Sequence, residues 1–288
     1  MRNAECTERW SIWTAGFPYR TRRHHSAFLI PHSALGGAGM SGYWLAIDTA
    51  TEIASVAAGR QVASGLVHAE TGAHAQGARR HATEVVRLVD FALAGLGIRP
   101  ADLSGIVLGD GPGSFTGLRI GWAAAKGLAQ ETGVDLVAVP SLMAAAGGAA
   151  VKLGPVPIAA CFDALRGQVY GAIYVVHPGH VETLVPPAVL TVPELARIAP
   201  VRPQLVVGDG AMLYADAVRA WSGAAPVPLA ALPPTASVML SLFMREGATR
   251  AIADPATAEP VYGRPAEAQV KWEARHGRPL PDPSRPRG

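Results

Sequence analysis

The sequence predicts an α/β protein of two lobes, each a mixed sheet flanked by helices, made by one unit used twice. Three observations carry this. A glycine-rich turn with the first turns of a helix, Gly109-Asp110-Gly111-Pro112-Gly113-Ser114-Phe115-Thr116-Gly117-Leu118-Arg119-Ile120-Gly121, follows the short apolar run Ile106-Val107-Leu108. The order three strands, helix, strand, helix, strand, helix is read once up to residue 151 and starts again at Val156. Asp48 and Asp163 each end a first strand before a hairpin, and Gly109-Asp110-Gly111 and Gly208-Asp209-Gly210 each end a fourth strand. The second spacing is the shorter, so the second unit is trimmed.

Tyr43 to Thr49 reads as a strand ending in a carboxylate and a hydroxyl, and Ile53 to Ala58 returns as its hairpin partner. Val62 to His68 is expected as a third strand and Gly72 to Gly77 as a loop. Arg79 to Leu96 carries Val85, Val86, Leu88, Val89, Ala92, Leu93 and Leu96 at helical spacing, and Gly97 with Pro100 stops it. A strand over 104–108, a helix from Thr116 to Gln130, a strand at Leu136–Val139 and an alanine-rich helix from Ser141 to Val151 complete the first unit. In the second, strands are expected at 156–163, 168–176 and 181–185, a short helix at 191–198, and a strand at 205–207. One helix over Met212–Trp221 and a last one over about 235–247 follow. The expected divisions are 1–39, a disordered extension or mis-assigned start; 40–152, the first lobe; 153–263, the shorter second lobe; and 264–288, a charged, disordered tail.

At 49% hydrophobic residues the chain can bury a sizeable core, and two cysteines, Cys6 and Cys161, make neither a disulfide framework nor a zinc cluster. The net charge of +3 is misleading. Residues 1–39 hold five arginines against Glu5 and Glu8, and residues 264–288 hold six basic and three acidic residues, which leaves 40–263 net acidic. A domain gripping RNA by itself would show a basic surface. No apolar run approaches a membrane span, and residues 1–39 lack the apolar block of a signal peptide. Met40 directly precedes the first clean strand and is expected to be the true start.

The turn invites an anion, because its exposed N–H groups and a helix start favour negative charge. Ser114 or Thr116 can cap the helix. A tight strand-to-helix connection with no ligand explains the same residues. A Walker A loop fails for want of the lysine, the dinucleotide fingerprint fails because Ser114 takes its third glycine place, and a nucleophile elbow fails because Pro112 and Thr116 flank Ser114. Leu118 to Ala129 is apolar almost all round, with only Arg119 and Lys126 charged. One face can cover a sheet and the other needs a neighbour. Either this helix and the one before it cover each other, or they cover a partner, with Gly121, Ala124, Ala125 and Gly127 allowing close approach.

Two such lobes describe the actin-like, Hsp70-like (ASKHA) architecture, a duplicated RNase H-like fold. Four pieces together, Leu45-Ala46-Ile47-Asp48-Thr49-Ala50-Thr51, the lone His81, Gly111 to Gly121, and Phe162-Asp163-Ala164 with Val169-Tyr170, resemble the TsaB (YeaZ) family. The resemblance runs from about Tyr43 to Gly263. It implies the cytoplasmic dimerisation subunit of the tRNA threonylcarbamoyladenosine machinery. Such a subunit pairs with the catalytic paralogue TsaD and the ATPase TsaE, or with a second copy when alone. The complex transfers threonylcarbamoyl to N6 of the adenosine beside the anticodon in tRNAs reading ANN codons, and meets tRNA as a whole. The implied subunit is not an enzyme, has no catalytic residue, metal or cofactor of its own, and leaves ATP or ADP to the interface with the partner. The metal-binding paralogue has two histidines one helical turn apart, whereas His81 is followed four places on by Val85. The implied partner interface is His81, Val85, Val86, Val89, Leu93, Leu118, Gly121, Trp122 and Ala125. The expected nucleotide or anion contacts are Asp48, Thr49, Gly111, Gly113, Ser114 and Thr116. The family's basic residue after Asp163-Ala164 is Leu165 here. The alternatives are a small-molecule kinase of the same fold and, least supported, a glycoprotease-like hydrolase.

Overall fold

A computed structural model describes residues 42–61, 67–76, 81–233, 235–264, 271–272 and 275–277. In chain order its elements are β1 (Tyr43–Asp48), β2 (Ile53–Gln61), β3 (Val67–Gln76), α1 (His81–Leu96), β4 (Leu103–Gly109), α2 (Phe115–Thr132), β5 (Asp135–Val139) and α3 (Ser141–Leu153). Then come β6 (Pro157–Asp163), β7 (Val169–Val176), β8 (Val181–Leu190), α4 (Val192–Ile198), β9 (Leu205–Val207), α5 (Asp209–Leu213), α6 (Ala215–Ser222), α7 (Thr235–Leu242) and β10 (Arg250–Ala251).

The strands make two sheets, ordered β10-β5-β4-β1-β2-β3 and β8-β7-β6-β9. In both, a first strand pairs antiparallel with the next and parallel with the fourth. The duplication read from the sequence is therefore a repeated pairing scheme, and the actin-like expectation holds. β1 shows why its sheet is central. Leu45 and Ile47 turn to the face covered by α1 and α2, while Trp44 and Ala46 turn to the face covered by α7. A strand buried on both faces reads as continuous apolar sequence. On the second sheet, α3 packs against the face of Ile158, Ala160 and Phe162, and α4 to α6 cover that of Ala159 and Cys161. The layers therefore run α1/α2, sheet, α7 and α3, sheet, α4–α6.

α3 is buried at every residue from Ser141 to Ala150. Its alanines and glycines are what a helix between two layers requires: a Cβ on Gly147 would lie 2.8 Å from Leu242 and 2.9 Å from Val238.

Four expectations change. The third strand is β3, over 67–76, rather than 62–68 followed by a loop; residues 62–66 and Gly77 lie outside the described residues. The length of β2 decides this, since its nine residues offer partners along all of β3. The single helix expected over 212–221 starts at Asp209 and breaks at Tyr214, whose φ of −109° and ψ of 40° are not helical. α7 stops at Leu242. The span 153–263 is not one lobe in space: α7 packs on β1 to β4 and β10 pairs with β5, so the chain after 235 returns to the first sheet. Apolar burial on the open face of that sheet draws it back. The expected extension 1–39 and most of the expected tail lie outside the described residues.

Candidate functional site

The glycine turn is sealed by its own neighbours. Asp110 N donates to Val139 O at 2.8 Å, and Gly111, at φ +91°, donates its N–H to Ser141 Oγ at 3.3 Å. Ser114 N donates to Ala50 O at 2.6 Å. Ser114 caps α2, as expected, its Oγ accepting from Gly117 N at 3.2 Å. Thr49 Oγ1 donates to Gly117 O at 2.7 Å, and Trp122 Nε1 to Gly109 O at 3.1 Å.

Close approach explains the glycines. A Cβ on Gly113 would stand 2.2 Å from Ala50 O, and one on Gly117 would stand 2.1 Å from Thr49 O. Both atoms are backbone and cannot swing aside. The motif presses the start of α2 onto the end of β1. The second unit repeats the device, since a Cβ on Gly210 would lie 2.6 Å from the carbonyl carbon of Phe162, and Asp163 N donates to Asp209 Oδ1 at 3.1 Å.

The six expected nucleotide contacts separate accordingly. Asp48 is only 2% exposed, and its Oδ1 accepts from Ser141 Oγ at 3.0 Å and from Ala50 N at 3.2 Å. Burial raises its carboxyl above the usual range, against the hydrogen bonds from Thr235, Ala50, Ser141 and Thr49. Ser55 Oγ, 2.9 Å from Thr235 Oγ1, extends this inward network and accepts from Ala236 N at 3.0 Å. Thr49 and Gly111 are also buried, Gly113 and Ser114 are half-buried, and Thr116 is exposed. The hydrogen bonds of Asp48 Oδ1 and Thr49 Oγ1 go to Ser141, Ala50 and Gly117 of this chain. Among the described residues no group of three or more His, Cys, Asp or Glu is placed to hold a metal ion.

The expected interface residues also sort by exposure. Val85, Val89 and Leu93 on α1 and Leu118, Trp122 and Ala125 on α2 are buried inside this chain. Gly121 is buried against Thr49, whose Oγ1 would be 2.4 Å from an added Cβ. Val85, Val89, Leu93, Trp122 and Ala125 lie where the two helices cover each other and the first sheet, whereas Leu118 packs with Leu142 and Met143 of α3. Val86 is 57% exposed, and the side chain of His81, first residue of α1, lies outside the described residues. Gly127 on α2, expected to allow close approach, is exposed; the outward residues missed from sequence are Phe91, 44% exposed, with Ala94 on α1 and Ala123 on α2. The usable signal was phase: Val86 and Phe91 are the apolar residues lying off the 85-88-89-92-93 stripe.

The Asp110 side chain is 8% exposed and meets Arg250 Nη2 at 2.7 Å and Nε at 3.1 Å. Burial still raises its carboxyl above the usual range, outweighing the opposing guanidinium. Burial likewise pushes the Cys161 thiol up to about 12. The sequence had offered no reason to pair residues 110 and 250.

The family model described as TsaD, tRNA N6-adenosine threonylcarbamoyltransferase, matches residues 70–211. The tRNA threonylcarbamoyladenosine biosynthesis protein TsaB of Bacillus subtilis is 32% identical over 196 residues, 67% of this chain and 84% of that protein. TsaB of Escherichia coli is 39% identical over 130 residues, 45% of this chain and 54% of the relative, so the match spans about half of that protein's length. The structure of YeaZ from Pseudomonas aeruginosa superimposes with a TM-score of 0.60 at 27% identity, covering 77% of this chain and 99% of that one. No helix among the described residues is long and apolar enough to cross a membrane.

Proposed function

Because this chain belongs to the TsaB family of tRNA threonylcarbamoyladenosine biosynthesis proteins, we propose that it is a non-catalytic scaffold for threonylcarbamoyl transfer to tRNA. It acts in the cytoplasm by binding and stabilising the N6-adenosine threonylcarbamoyltransferase TsaD, with TsaE as a further member of the assembly. The observation that carries the reading is the 32% identity across 84% of the Bacillus subtilis protein. The match of residues 70–211 to the model of the transferase itself supports a paralogous pairing, since like folds present like helix pairs. The chemistry of the turn agrees. Asp48 and Thr49, which a kinase of this fold would turn on phosphates or Mg²⁺, are spent on Ser141, Ala50 and Gly117. ATP or ADP used by the assembly is assigned to the face shared with the partner.

The docking face is the outward side of α1 and α2, with Val86 and Phe91 bordering Arg87 and Asp90, and Ala123 and Gly127 leaving room for a close backbone. The test is reconstitution with the threonylcarbamoyltransferase from the same cell. Capture of the transferase by this chain, and modified tRNA only when both are present, is expected. Equal modification without this chain, or ATP turnover by the lone chain on a small metabolite, refutes the proposal.

A further inference from the structure

We infer that residues 250–264 form a clasp that joins the first lobe's glycine turn to the second lobe's β6–β7 turn and can release without opening the core. Its first end grips the front lobe. Arg250 holds the Asp110 carboxylate, and Val261 N donates to Asp110 O at 2.8 Å. Lys126 Nζ on α2 donates to Ala256 O at 3.4 Å. Tyr262 lays its ring 4.6 Å from that of Phe115, accepts from Arg119 Nε at 3.0 Å and donates to Glu259 at 2.7 Å. Arg119 stacks 4.0 Å over Phe115 and completes the set.

The other end crosses to the second sheet within two residues. Arg264 donates to Ala164 O and to the side-chain oxygen of Gln168. These two acceptors bracket a turn in which Leu165 and Arg166 hold φ of 61° and 54°. A bulky residue in the left-handed region persists only where its surroundings over-determine it, and Arg264 is such a support.

Glycine at two places makes the passage fit. A Cβ on Gly111 would stand 2.4 Å from Val261 O. Gly263, at φ +71°, lies on the seam itself, where a Cβ would be 2.9 Å from Pro112 of the first lobe and 2.6 Å from Tyr170 of the second. The seam is thus built from both sides of the chain. The lobes are also joined by α3 and α7, but through apolar packing. The clasp instead holds by an ion pair, hydrogen bonds and a tilted ring contact, several of them half-exposed. Salt weakens such contacts and leaves apolar burial intact. The inference stands apart from the identity of any partner, since it concerns contacts within one chain.

Hydrogen exchange read by mass spectrometry on the full chain tests it, comparing the wild type with Arg264→Ala and Tyr262→Phe. Arg264→Ala cuts the second-lobe end only. Exchange is expected to rise about tenfold there and also at residues 250–262 and 111–118 across the seam, the change that one lost charge-assisted hydrogen bond gives. α1, β6 and β7 stay protected. Tyr262→Phe keeps the ring, is mild enough to fold, and is expected to loosen 164–168 from the opposite end. Raising NaCl to about 1 M should mimic both, because the screening length falls to about 3 Å. Faster exchange confined to 164–168 in the arginine variant, a uniform rise over the whole chain, or indifference to salt overturns the inference.

Discussion

Removing Arg250 strands a carboxylate that the fold has already withdrawn from water. The Asp110 side chain is 8% exposed and that of Arg250 is 46% exposed, with contacts at 2.7 and 3.1 Å. Breaking a fully buried pair costs about 3–5 kcal/mol, whereas an exposed pair is worth about 0–1 kcal/mol. The half-exposed guanidinium is screened, so Arg250→Ala is expected near the middle, about 2 kcal/mol. For a chain of this size that lowers Tm by about 4–8 °C. Asp110→Asn and the double variant complete a cycle that isolates the pair from lost packing of the arginine stem. The sign against pH is fixed by burial, which already holds Asp110 above its usual range. A raised folded-state pKa gives stability at low pH that is lost as pH rises through it. Without Arg250 the pKa rises further, so Arg250→Ala should lose more at pH 7 than at pH 4. Thermal melts of the four proteins at both pH values decide it. A coupling below about 0.3 kcal/mol, within the error of additivity, or a larger loss at pH 4 refutes the reasoning.

Asp48→Asn removes a buried charge while keeping an acceptor for Ala50 N; its stability relative to wild type should be higher at pH 7 than at pH 4 in denaturant titrations, since the Asp48 carboxyl is also raised by burial. Gly117→Ala should destabilise by about 1–3 kcal/mol through collision with Thr49 O. Gly127→Ala, with open space around its Cβ on the same helix, should instead stabilise by about 0.4–1 kcal/mol; chemical denaturation of the two separates close approach from helix propensity. Val86→Glu and Phe91→Glu should change Tm little but weaken capture of the transferase at least tenfold, whereas Val89→Glu should fail to fold; pull-down beside a melt distinguishes the outward face from the inward one.

How far the sequence reached is clearest along β1 to α2. The continuous apolar run of Tyr43–Ile47, the α1 stripe and the Ser114 cap are local signals, set by neighbouring residues, by periodicity and by one hydroxyl three residues from its N–H. The same periodicity could not say which apolar residue of α1 faces inward beyond its stripe. It therefore put Val85, Val89, Leu93 and Trp122 on a partner when the sheet already claims them. The glycine turn was found, but its purpose was not, because a glycine that admits a ligand and a glycine that admits the backbone of residues 49–50 look alike in one dimension. Phe91 was passed over because it breaks the stripe that identified the helix.

From sequence alone came the α/β class, the doubled order of elements, the paired Asp48 and Asp163, and the family resemblance, all of which depend on spacing along the chain. Only the tertiary structure decided that Asp48 and Thr49 face inward, that 235–264 returns to the first sheet, and that Arg250 and Arg264 tie the two ends of one strap. Those facts rest on contacts between residues far apart in the chain, and their energy comes from burial and charge pairing that no local pattern encodes.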